Sequence, residues 1–221
     1  MVKIRVWDLP TRVFHVALAL SVLGLVLTAQ LGGDAMLWHF RFGYAVATLL
    51  LFRLCWGFVG GHWSRWWHLP LSWRSLQAYW QGRLSPPITT GHNPAGSWSV
   101  LAMLCWLALQ VSTGLVSDDE IANAGPLSSL VSGAAVSAAT AWHKGWGKGL
   151  LLALISIHVG AVLWYKLRKR QNLTVAMLHG DKVVDTEVPA SRDDLVTRSM
   201  ALALLLLCAL AVRWLVSLGM A

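Results

Sequence analysis

The chain has 221 residues, of which 56% are hydrophobic and only 13% charged, and its formal net charge is +8. A soluble domain carries about 25% charged residues, so this composition excludes an ordinary soluble enzyme and points to an integral membrane protein. The positive charge lies between apolar runs, which reads as membrane topology and not as a nucleic-acid surface.

In chain order, the first apolar run covers 13–31 and follows a basic flank with Lys3, Arg5 and Arg12. It is too long for a signal-peptide core, and a retained first span is expected. The second run, 38–60, leads into a loop holding Trp63, Trp66, Trp67, Trp73 and Trp80 together with Arg65, Arg74 and Arg83. Aromatic residues in such number fit anchoring at the membrane interface. The third run, 97–117, follows GHNPAGSW, where Asn93 and Pro94 are expected as helix N-cap and first-turn proline. An acidic turn of Asp118, Asp119 and Glu120 comes next. The fourth run, 142–165, ends at Lys166, Arg168, Lys169 and Arg170. Within the polar stretch 166–199, NLTVAMLHG is expected as a short interfacial helix and DKVVDTEVPASRDD as an exposed linker. The fifth run, 200–219, is interrupted only by Arg213.

Each run can supply the roughly 20 residues that a helix needs to cross the hydrocarbon core. None alternates like a barrel strand. The expected fold is therefore an all-α integral membrane bundle of about five transmembrane helices. Its parts are a four-helix bundle over 1–165, a cytoplasmic linker with a short helix over 166–199, and a fifth span over 200–219. The basic regions share one side if the N-terminus is cytoplasmic, which places the C-terminus in the periplasm. Cys55, Cys105 and Cys208 lie singly in apolar runs and read as small buried hydrophobes. No C-x-x-C-H is present, which argues against covalent haem.

Eight histidines remain to be placed. By this topology His15 and His158 lie near the cytoplasmic ends of their spans, whereas His39 and His143 lie at the outer starts of theirs. On a regular helix the fifteen residues from His143 to His158 cover roughly 22 Å and leave them about 60° apart in azimuth. Two imidazoles facing each other across a bundle can clamp a haem iron from both sides, which suits electron transfer better than oxygen binding. Two such pairs, His15 with His158 and His39 with His143, would carry electrons across most of the bilayer. The second ring nitrogen of each ligand should donate a hydrogen bond that fixes the ring. A proton path or a transporter also fits histidines at these positions. Arg53, deep in the second span, needs a partner or must snorkel to the interface; a haem propionate would serve, and Arg12 raises the same option. His62, His68, His92 and His179 fall on the inner side and read as loop or quinone-contacting residues.

These residues resemble the bacterial cytochrome b561 family, which is related to the cytochrome b subunit of nickel–iron hydrogenases. The resemblance rests on VWDLPTRVFH ending at His15, on WHFRFGYAVATLLLFRLCWGFVG with His39 and Arg53, on GHNPAGSWSV, on LQVSTGLVSDDE, and on NLTVAMLHGDK after the fourth span. It implies two non-covalent b haems with axial pairs His15–His158 and His39–His143. It further implies electron relay in the bacterial inner membrane between the quinone pool and a redox partner, a c-type cytochrome or a hydrogenase-like enzyme. Family members often space the fourth-helix histidines by fourteen residues. With the fifteen found here both can still face the bundle interior, and a local wide turn near Gly145–Gly149 would absorb the difference. A self-contained ferric or superoxide reductase, or a haem-free transporter or anchor, is the alternative function.

Overall fold

The computed structural model describes residues 1–84 and 90–219. Among these, β1 (Val2–Arg5) leads into α1 (Leu9–Leu31) and α2 (Ala35–Val59). Two 3-10 turns, His62–Ser64 and Trp66–His68, and the short α3 (Trp73–Trp80) precede α4 (Pro94–Val116). Then α5 (Gly133–Trp142) passes through a π turn (His143–Gly147) into α6 (Lys148–Arg168), followed by α7 (Leu173–His179), β2 (Asp181–Val184) and α8 (Leu195–Ser217). Five helical runs are long and apolar enough to span a membrane: α1, α2, α4, the run Gly133–Arg168, and α8. The fold is an all-α membrane helical bundle, as the composition predicts.

Helix starts follow the sequence signals closely. Asp8 caps α1, its carboxylate accepting from Thr11 N at 2.8 Å. Asn93 caps α4 through Gly96 N at 2.7 Å, with Pro94 in the first helical position, where its missing N–H costs nothing. Asn172 caps α7, and Gly180 closes it at φ +87°, a conformation glycine adopts without strain.

Three features depart from the sequence reading. The fourth span begins at Gly133, well before 142, because Ser132 caps a run of small helix-forming residues, GAAVSAATAW. Residues 181–192 are not simply an exposed linker. There β2 pairs antiparallel with β1, Val2 opposite Val184 and Arg5 opposite Asp181, and Ser191 is buried, donating to Val6 O at 2.6 Å. Of the cysteines only Cys208 is buried; Cys105 lies on an outward face of α4, where an apolar residue in a span needs no core to cover it.

The chain divides into two compact units. The first comprises Met1–His15, Arg53–Ala102 and Ser156–Ala203. Its core joins Ile4, Val6, Trp7 and Trp63 to Met177, Val184 and Val188. Beside this core stands Asp8, wholly buried, which accepts from Thr11 N, Trp56 Nε1, Gly61 N and Ser64 Oγ. Four donors around one carboxylate satisfy a charge that would otherwise be costly to bury. The second unit comprises Val16–Phe52, Met103–Ile155 and Leu204–Ala221. Its core is Val22, Val46, Leu107 and Leu151, with Leu18, Leu25, Leu50 and Trp106 packed around.

Candidate functional site

In the second unit, α2 presents His39 and the π turn presents His143, with ring centres 6.2 Å apart. Each ring is held by its Nδ1. That of His39 lies 3.0 Å from Leu25 O, and that of His143 lies 2.9 Å from Gln110 O. A backbone carbonyl can only accept, so both Nδ1 atoms carry the proton and both Nε2 atoms keep a free lone pair, the form in which imidazole binds a metal. Gly114 makes room for the His143 ring: a Cβ there would stand 2.7 Å from its Cε1.

The π turn exists for a local reason. Gly145 leaves helical geometry at φ −100°, ψ −109°, which interrupts the backbone ladder and releases carbonyls into apolar surroundings. Two residues of α4 satisfy them, Gln110 Nε2 at 2.8 Å from His143 O and Trp106 Nε1 at 2.9 Å from Gly147 O. The turn therefore lies where it can absorb the extra residue between His143 and His158, and α4 both stabilises it and orients its imidazole.

In the first unit, His15 of α1 and His158 of α6 stand with ring centres 6.3 Å apart. Among the described residues neither makes a hydrogen bond like those of His39 and His143. Arg53 is buried, 4% exposed, with its guanidinium 4.2 Å above the Trp66 ring. Trp66 fits there because residue 57 is glycine; a Cβ at Gly57 would run into the indole. Arg53 makes no ion pair among the described residues, and its Nη1 is buried without a partner. Arg12 donates to Leu178 O, and its Nε is likewise buried and unsatisfied. Ser97 Oγ and His92 Nδ1 are two further orphans in this unit. Burial, reinforced by the charges of Arg53 and Lys182, pushes the pKa of His92 down to about 3.

A metal–imidazole bond of about 2 Å plus about 1 Å from nitrogen to ring centre sets two axial rings about 6 Å apart, the spacing seen in both pairs. No group of three or more protein ligands gathers among the described residues. A porphyrin needs none, since it brings four nitrogens and asks the protein for two axial side chains. The unsatisfied guanidinium nitrogens suit the carboxylates that haem also carries. The donor set thus fits haem in each unit.

Other histidines have different places. His62 and His68 stack at 3.8 Å beside Trp63 and Trp67, and His179 lies on an exposed face of α7. The acidic turn is largely committed to its own fold: Asp119 accepts from the backbone of Ile121, Ala122 and Asn123 and from the Asn123 side chain, which hold its carboxyl below the usual range. Sequence reasoning missed Gln110, Trp106 and Asp8. Asp8 had a readable signal, an Asp three residues before Thr11 with Pro10 between; the other two act on carbonyls, which leave no trace in a sequence.

Residues 6–180 match the model of the prokaryotic cytochrome b561 family. The chain belongs to that family. As a b561-family member it is a membrane cytochrome b of electron transport, and membership implies haem b. Several family relatives carry the name probable Ni/Fe-hydrogenase B-type cytochrome subunit. That of Azotobacter chroococcum mcd 1 is 25% identical over 224 residues, covering 84% of this chain and 91% of the relative. The Bradyrhizobium diazoefficiens protein is 22% identical, covering 81% and 85%. The Azotobacter vinelandii protein is 29% identical over 134 residues, covering 48% and 54%. No solved structure matches the chain.

Proposed function

We propose that this b561-family chain carries two b haems, one on His15 and His158 and one on His39 and His143, and conducts electrons through the bacterial inner membrane. The observation that carries this reading is the pair of imidazole–imidazole gaps, 6.3 and 6.2 Å. When bound, haem with both axial positions filled supplies a one-electron couple with no vacancy for oxygen. The protein's own contribution is positional. Leu25 O and Gln110 O fix the tautomer and the ring planes of His39 and His143. Gly114 leaves space for the His143 ring to lie against α4. Arg12 and Arg53 each keep an unpaired guanidinium nitrogen that would hold the propionates of a haem in their unit.

The basic flanks support an N-terminus in the cytoplasm and a C-terminus in the periplasm. The names of the relatives favour a hydrogenase-like enzyme as redox partner, with the quinone pool at the other end of the path. The test is a reduced-minus-oxidised spectrum with a haem-to-chain ratio, in the parent and in His15→Ala and His39→Ala. The expected result is two haems per chain, with each substitution removing a different one. A folded, haem-free parent sinks the reading, as does loss of one and the same centre from both variants.

A further inference from the structure

We propose that a pocket where α2 ends and α8 begins binds the phosphate headgroup of an anionic membrane phospholipid. The pocket measures about 250 Å³ and lies wholly in the first unit; Val59, His62, Arg65, Arg192, Thr197 and Met200 line it.

Its polar side is cationic. Arg65 donates from Nε to Gly60 O at 2.8 Å and rests 5.7 Å from the Trp67 ring centre, and it makes no ion pair among the described residues. Arg192 pairs with Asp194 at 2.7 Å. That one carboxylate also caps α8, accepting from Thr197 N and Oγ1 at 2.8 and 2.7 Å. The neighbouring Asp193 is engaged by Arg5 and Arg198. Two guanidinium groups therefore line the pocket, with the Asp194 carboxylate paired to one of them and the Asp8 carboxylate behind Gly61 satisfied by its own four donors, which leaves Arg65 without a counter-ion among the described residues. His62 adds no charge at neutral pH, because burial and the neighbouring His68 and Arg65 lower its pKa. Guanidinium groups match phosphate oxygens with paired hydrogen bonds.

The other side is apolar. Val59 and Met200 are each about half exposed, and they belong to the last turn of one spanning helix and the first turns of another. The pocket thus sits where two spans leave their apolar stretch, the depth of lipid headgroups, with arginines on one side and a hydrocarbon-facing rim on the other. Free phosphate would answer only the cationic side; a glycerophospholipid answers both. Basic pockets at the ends of transmembrane helices recognise anionic headgroups in this manner.

The test is native mass spectrometry of the full chain in mild detergent, titrated with phosphatidylglycerol or with phosphatidylcholine of the same acyl chains. The expected result is one phosphatidylglycerol retained in preference to phosphatidylcholine, and not displaced by millimolar inorganic phosphate. Arg65→Gln and Arg192→Gln should each weaken retention roughly fivefold, given the contribution of one arginine near a lipid surface. Arg74→Gln, on α3 and outside the pocket, should leave it unchanged. Equal retention of both lipids by the unmodified chain overturns the proposal, and that comparison requires no variant to fold. Displacement by phosphate identifies a free-anion site and overturns it too. So does full retention in a folded Arg65→Gln/Arg192→Gln protein, or an equal loss in Arg74→Gln.

Discussion

Replacing Gly114 with alanine puts a methyl carbon 2.7 Å from His143 Cε1 and 3.2 Å from its Nδ1. Ordinary contact begins near 3.4 Å, so the ring must retreat by about 0.7 Å, a distance over which packing contacts change sign. It has little freedom to do so. Its Nδ1 is fixed to Gln110 O, and the backbone oxygen of His143 is held by the Gln110 side chain. Overpacking of this kind costs about 1–3 kcal/mol. Alternatively the ring swings away and loses its place opposite His39. Either way the proposed haem of His39 and His143 suffers and that of His15 and His158 does not. The assay is haem content per chain together with a redox titration followed in the α-band. Gly114→Ala is expected to lose or shift the haem of His39 and His143, with the signal of His15 and His158 unchanged. An unaltered spectrum and titration, or equal loss of both centres, refutes the assignment of His143 as an axial ligand.

Arg53→Gln should lower the midpoint potential of the haem on His15 and His158, since it removes a positive charge that favours the reduced state, by on the order of tens of millivolts; a titration that moves the other centre instead refutes the placement of Arg53. Asp8→Ala strips one acceptor from four donors, and a cost of about 3–5 kcal/mol is expected from leaving several buried groups unpaired, read as a fall in thermal midpoint in detergent that Asp8→Asn partly restores. His92 is neutral in the folded chain down to about pH 3, whereas unfolded histidine protonates near 6.5. Its contribution is therefore complete above pH 6.5 and is lost as pH falls from there toward 3, by about 2 kcal/mol at pH 5. His92→Gln should flatten that part of the stability profile, and a parent no less stable at pH 5 than at pH 7 contradicts the burial argument.

The spans were legible because a membrane helix must be apolar over its whole length, and a run such as 200–219 has few other uses. The depth pairing of His15 with His158 and of His39 with His143 was also legible, since position along a span follows from counting residues. The strands were not. VKIR and DKVV are four residues each, too short for a pattern, and neither is a strand until the other arrives. The fourth span's early start was hidden because GAAVSAATAW is small rather than strongly apolar, and its cap, Ser132, looks like any loop serine. The wide turn could be inferred from one surplus residue, but not its support: Gln110 and Trp106 had no visible reason to be Gln and Trp before the freed carbonyls beside them were seen.

The pairing of β1 with β2 also imposes an order on synthesis. Val2 is made long before its partner, since Val184 follows 182 residues later. At about 5–20 residues per second, β1 waits roughly ten to forty seconds for its mate. Ser191, which ties Val6 and Trp63, comes later still. The unit that houses His15 is therefore begun before its strand can pair and is closed only once residue 191 is made, so a ribosome stalled before residue 181 would display α1 already made and the strand before it unpaired.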